Sequence, residues 1–140
     1  MTRPTLVAGR LWAGGAATAL VAALAAILAV IAADGLFGVP VLAPSGENAW
    51  SSVDIASYAA GAALAALAAT GLLHLLLIST PRAKSFFVSI MLLATVIAVI
   101  VPVTLDSPGR LATAAGNLLV GLVITGTLSG VAAAAVRPAR

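Results

Sequence analysis

The residues of this sequence that could do chemistry are few, and they sit in apolar surroundings. His74 is the only histidine, and it follows Thr70 by one helical turn in the run ATGLLHLLLIST. An ionisable side chain in such a run is a functional candidate by default, for proton transfer or ligand binding. Near the end of an apolar segment it can equally snorkel or bond a neighbouring carbonyl, which is a structural role. A second set recurs every four residues: Thr113, Asn117, Gly121, Thr125, Ser129 and Ala133. Helical neighbours at that spacing share a face, although the row drifts by about 40° per step at 3.6 residues per turn. Beside it runs a row of small residues, Gly126, Gly130 and Ala134. Small residues let helix backbones approach closely, and Thr, Ser and Asn can bond across a helix pair. The two rows therefore fit a packing seam, with Gly121, Gly126 and Gly130 at the contact. They also fit the wall of a polar path, with His74, Thr70, Asn117, Thr125 and Ser129 facing it.

No other chemistry finds a footing. The chain has no cysteine, which excludes disulfides, iron–sulfur clusters and thiolate metal sites. One histidine does not make a metal-ligand set. There is no HExxH, no nucleophile–base spacing and no Gly-rich loop between a strand and a helix. The expectation is a protein without metal or cofactor that is not an enzyme.

The elements that must position these residues follow from composition. Of 140 residues, 62% are hydrophobic and 8% charged, and the mean hydropathy is +1.19. Soluble domains carry about 25% charged residues, so the bilayer must be the solvent for most of this surface. Four segments can cross a hydrocarbon core of about 30 Å: residues 11–33, 55–78, 86–105 and 111–136, none with Asp, Glu, Lys or Arg. Backbone polar groups in lipid must be satisfied within the segment, so these are helices. The fold expected is all-α, a single integral membrane bundle of four transmembrane helices. At the helix starts, Ser51 three residues before Asp54 resembles a capping box, Ser85 is placed to cap the third span, and Ser107–Pro108 suits the start of the fourth. Pro81 ends the second span, and Pro102 removes a helix bond near the end of the third.

Charge sets the expected threading. Arg3, Arg10, Arg82, Lys84, Arg137 and Arg140 all fall on one side, whereas Arg110 alone joins Asp34, Glu47, Asp54 and Asp106 on the other. Basic residues near span ends favour the cytoplasm, which predicts an N-in/C-in protein of the cell membrane. The same dispersal gives no basic stripe, so no nucleic acid is expected despite the net charge of +3. The apolar run of the first span exceeds the roughly 7–15 residues of a signal-peptide core, so this span is expected to be retained. The long connection, residues 34–54, is broken by Gly35, Gly38, Pro40 and Pro44. It is expected to lie as an outer loop at the headgroup level, anchored by Phe37 and Trp50, or to cover the outer mouth of the bundle.

The motifs LWAGGAATALVAALAAI, GLFGVPVLAPSGE, ATGLLHLLLISTPR followed by Phe86 and Phe87, and NLLVGLVI resemble a family of small four-span actinobacterial membrane proteins of unknown function. The resemblance runs nearly end to end. It implies the four-span fold and no activity. Two functional classes stay open. One is a protein acting by helix-mediated association with itself or another membrane component. The alternative is a small transporter or channel whose polar path is lined by the fourth span.

Overall fold

A computed structural model describes residues 5–46 and 49–137; Arg3, Glu47 and Arg140 of the charge pattern lie outside them. Four helices make up the bundle: α1 (Ala8–Phe37), α2 (Ile55–Ser79), α3 (Ala83–Val103) and α4 (Arg110–Ala135). Each is long and apolar enough to cross a membrane. The packing has the small-inside, large-outside arrangement expected in lipid, where close backbone approach replaces the hydrophobic effect. Ala19, Ala22, Ala26, Ala62, Ala66 and Ala132 form much of the core, whereas Leu20, Leu24, Leu28, Leu93, Ile97 and Leu122 face outward.

Around the bundle α1 lies between α2 and α4, and α4 between α1 and α3. Of the helices adjacent around the bundle, α2 and α3, though joined by a tight turn, touch least. The fully buried Leu73 and Phe87 close the half of the bundle nearest that turn. At the same end two short strands, β1 (Thr5–Leu6) and β4 (Val136–Arg137), pair antiparallel. Both described chain ends therefore meet at one end of the bundle.

The helix boundaries differ from expectation where local chemistry overrides the apolar pattern. Helix α1 runs for 30 residues and carries Asp34 and Gly35 in its last turn. At 1.5 Å per residue it is about 45 Å long, well over the hydrocarbon thickness. It stops at Gly38, whose φ of 62° lets its N–H bond the Asp34 carbonyl at 3.1 Å in a left-handed cap. The cap of α2 is Asp54, not Ser51: the Asp54 carboxylate accepts from the Ser57 N–H at 2.8 Å and from the Ser57 hydroxyl at 2.7 Å. Those bonds hold the Asp54 carboxyl below its ordinary pKa of 3.8. Ser85 lies inside the first turn of α3, whose N-cap is Arg82. Helix α4 starts at Arg110, after Gly109, and Ser107 instead offers its carbonyl to the Arg110 N–H at 3.2 Å.

The connection between α1 and α2 is not a plain loop. Strands β2 (Leu42–Pro44) and β3 (Trp50–Ser52) form an antiparallel hairpin with Leu42 opposite Ser52 and Pro44 opposite Trp50. Pro40 and Pro44 forbid a helix here, and proline is tolerated on an edge strand. The hairpin is tied to the bundle through α4. The Leu42 N–H donates to Thr113 Oγ1 at 2.8 Å, and that hydroxyl donates to the Gly109 carbonyl at 2.9 Å. The Pro40 carbonyl lies so close over Gly109 that a Cβ there would collide with it.

Candidate functional site

The most organised polar group in the membrane region begins with an absent donor. In a helix the carbonyl of Ala98 would accept from the N–H of residue 102, but Pro102 has none. A buried carbonyl without a partner in hydrocarbon is expensive. Asn117 of α4 supplies the donor: its Nδ2 lies 2.8 Å from the Ala98 carbonyl. Its Oδ1 then accepts from the Tyr58 hydroxyl of α2 at 2.7 Å. Tyr58, Asn117 and Ala98 thus form one chain across α2, α4 and α3. Gly116 makes room for it, since a Cβ there would come within 2.9 Å of the Tyr58 hydroxyl and 3.3 Å of the Ala29 Cβ. Pro102, expected only to break α3 near its end, creates the acceptor that orients Asn117.

Beside this chain, between α2 and α3 and backed by α4, lies a cavity of about 380 Å³. The β2–β3 hairpin roofs it. Its walls are mostly apolar, and its hydroxyls are engaged. Tyr58 donates to Asn117, Thr95 to the Met91 carbonyl at 2.7 Å, and Ser57 to Asp54.

The four-residue row of α4 does not form one wall. Five steps of drift turn it by about 200°, from the fully buried Thr113 to the exposed Ala133. Thr113 holds the hairpin, and Asn117 and Gly121 face α3 and the cavity. A Cβ on Gly121 would collide with the Thr95 side chain, so Gly121 is a packing glycine at the α3–α4 crossing. Thr125 and Ser129 are half-buried, and Thr125 donates to the Gly121 carbonyl of its own helix at 2.7 Å. Gly126 and Gly130 are exposed, and a Cβ on either would meet nothing within 4 Å.

His74 and Thr70 belong to another part of the molecule. Thr70 is fully buried, donates to the Ala66 carbonyl at 2.8 Å and packs where Gly15 of α1 has no side chain. The His74 ring lies 6.2 Å from the Trp12 ring, tilted by 43°, and its Nδ1 is buried without a hydrogen-bond partner among the described residues. His74 is not among the residues lining the cavity. The residues expected to share a polar path are therefore divided between the α1–α2 contact and the α3–α4 side. Bonding across helices, expected of Thr, Ser and Asn together, falls to Asn117, whereas Thr18, Thr70, Thr95 and Thr125 return their protons to carbonyls four residues back.

Two packing residues escaped the sequence reading. Gly14 and Gly15 are adjacent in α1 and serve different partners: a Cβ on Gly14 would strike Val131 of α4, and one on Gly15 would strike Thr70 of α2. The Gly-Gly pair in LWAGGAAT was the available signal.

The family described as "Family of unknown function (DUF6069)" matches residues 6–134. The chain belongs to this family. The match takes in all of α1, α2 and α3, α4 up to Ala134, and nearly all described residues, so the family unit is the four-helix domain with its hairpin. No curated protein and no solved structure matches the chain.

Proposed function

We propose that this is a non-enzymatic multi-pass protein of the cell membrane that works by helix-mediated association, with the outward face of α4 packed against the same face of a second copy. The observation that carries this reading is the open space at Gly126 and Gly130. Glycine inside a helix costs about 1 kcal/mol relative to alanine. At Gly14, Gly15, Gly116 and Gly121 the chain itself gains close packing in return. At Gly126 and Gly130 no described residue takes up that space. Leu122, Gly126, Gly130, Ala133 and Ala134 form a continuous exposed strip without charge. An uncharged strip of this kind can oppose itself across a two-fold axis, and the shallow centre allows the backbones to approach.

The threading that accompanies this reading has both termini in the cytoplasm. Arg10, Arg82 and Lys84 lie at the end where β1 meets β4, while Asp34, Asp54 and Asp106 lie at the hairpin end. Single cysteines at Ser45 and Ala83 should react with an impermeant reagent from opposite faces of the cell. Labelling from one face would exclude it.

Association is tested by native mass measurement in nanodiscs or mild detergent. Gly126→Leu and Gly130→Leu should shift the protein toward the monomer, and a cysteine at Gly130 should crosslink to its equivalent in a second copy. An oligomer of unchanged mass in both leucine variants would exclude this face as the contact.

A further inference from the structure

The cavity beneath the hairpin carries an inference independent of the α4 strip, because it is built from other residues. We propose that it is a binding site for one hydrocarbon chain of a membrane lipid, which enters sideways from the bilayer between α2 and α3. Its volume of about 380 Å³ is within the range of small-molecule sites, roughly 300–1,000 Å³. Three observations select the occupant.

The first is access. The hairpin residues Leu42, Ala43, Pro44 and Trp50 cover the end of the cavity that would otherwise face water. The remaining side is the gap where α2 and α3 stand apart, and it faces the hydrocarbon. A molecule dissolved in the bilayer has a route that a water-soluble one lacks.

The second is polarity. No Asp, Glu, Lys, Arg or His lines the cavity among the described residues. The hydroxyls of Ser57, Tyr58 and Thr95 already donate within the protein. A headgroup or a charged solute would leave its water shell and find little to replace it, whereas an alkyl chain asks for no partner.

The third is the shape of the wall. Gly61 and Ala65 of α2 line the cavity, and both are exposed. A Cβ on Gly61 would meet nothing within 4 Å, so a larger residue can be placed there without disturbing the bundle. Trp50 and Tyr58 at the roofed end are the amphipathic rings that sit at headgroup level. This places the lipid's polar group at the rim and its chain inside.

The test uses the full chain in vesicles of phosphatidylcholine brominated in the acyl chains, which quench a tryptophan they touch. In a Trp12→Phe background Trp50 is the sole reporter, and in a Trp50→Phe background Trp12 reports ordinary surrounding lipid. Trp50 should be quenched, and on dilution into unbrominated vesicles its emission should recover more slowly than that of Trp12. Gly61→Phe, which fills the cavity, should abolish the slow phase at Trp50 and leave Trp12 unchanged. If Gly61→Phe loses its helical circular dichroism, Ala65→Leu on the same wall carries the comparison. Recovery at Trp50 as fast as at Trp12, or a slow phase unchanged by the filling variant that folds, would overturn the proposal: the cavity would then hold only exchanging surrounding lipid.

Discussion

The two halves of α4 carry neighbouring four-residue rows, Thr113, Asn117 and Gly121 in the first and Gly126, Gly130 and Ala134 in the second, and the rows meet different environments. In the first half, Thr113 is bonded to the hairpin, Asn117 to α2 and α3, and Gly121 lies against Thr95. In the second half, Gly126 and Gly130 face open space. The residue types scarcely differ. The azimuth of each row around the helix decides which is spent on folding this chain and which is left for something outside it. A polar or small residue in a membrane helix thus has no fixed meaning until its azimuth relative to the neighbouring helices is known.

The comparison is broken most directly at its glycines. Gly121→Leu forces a side chain into Thr95 at a tight crossing. Overpacking of this kind costs about 1–3 kcal/mol, so a large fall in thermal midpoint is expected. Gly126→Leu should leave that midpoint nearly unchanged in a monomeric preparation, within about 0.5 kcal/mol as for surface substitutions, while reducing oligomer mass. Equal losses of thermal stability in the two variants would erase the distinction between the halves.

A comparable effect is expected at Asn117. Asn117→Leu leaves the Ala98 carbonyl and the Tyr58 hydroxyl without their partner, a loss of about 1–3 kcal/mol for buried polar groups. Pro102→Ala returns an N–H to the Ala98 carbonyl, so it should recover part of that loss in the Asn117→Leu background. A double-mutant cycle read by reversible unfolding should give a coupling of about 0.5–3 kcal/mol. Strict additivity would mean that Asn117 is not there to serve the carbonyl that Pro102 frees.

At Thr113 the expected change is smaller and local. Thr113→Val keeps the shape but removes the acceptor for the buried Leu42 N–H, orphaning one group where Asn117→Leu orphans two, at the low end of about 1–3 kcal/mol. Hydrogen exchange should accelerate at Leu42 and Val53 and remain slow in the centre of α4. Uniform acceleration would show that the hairpin and bundle open together.

The smallest effect is at the exposed Asp54 cap, outside the span. Its folded-state pKa is lowered, chiefly by the bond from the Ser57 hydroxyl and then by that from the Ser57 N–H. The unfolded chain therefore binds the proton more readily, and stability rises with pH in this window. The contribution is fully present above the ordinary value of 3.8 and is lost as pH falls through the lowered value. The stability difference between wild type and Asp54→Asn should shrink on acidification, and a difference independent of pH would assign the cap no charge dependence.

Much of the architecture was legible in the chain because hydrocarbon is an exacting solvent. A backbone in lipid must close its own hydrogen bonds, so runs such as LLATVIAVIVPV read as helix with few competing forms. The ends were less legible, because Ser51, Ser85 and Ser107 all have the chemistry of a cap and only Asp54 sits where the first helical N–H groups point. The hairpin was hidden by its brevity: three-residue strands rich in Pro and Ser have no period to detect.

For the candidate site, the residue types were visible but their grouping was not. Asn117 stood out as an amide in NLLVGLVI, and Pro102 as a helix breaker. That the two are halves of one hydrogen-bonding arrangement depends on the rotation of α4 against α3, which a one-dimensional spacing does not encode. Likewise Gly121, Gly126 and Gly130 looked alike, and the structure assigns the first to packing inside the chain and leaves the other two open.

The sequence by itself determined the solvent, the number of spans and the residues available for polar contacts, because transfer free energy and backbone satisfaction are properties of each segment taken alone. Which helix meets which, where α2 and α3 separate, and which polar groups find each other are decided only by the tertiary structure. These are properties of pairs of helices, set by shape at Gly14, Gly15, Gly116 and Gly121. Between such pairs lipid supplies no hydrophobic drive to single out one arrangement in advance.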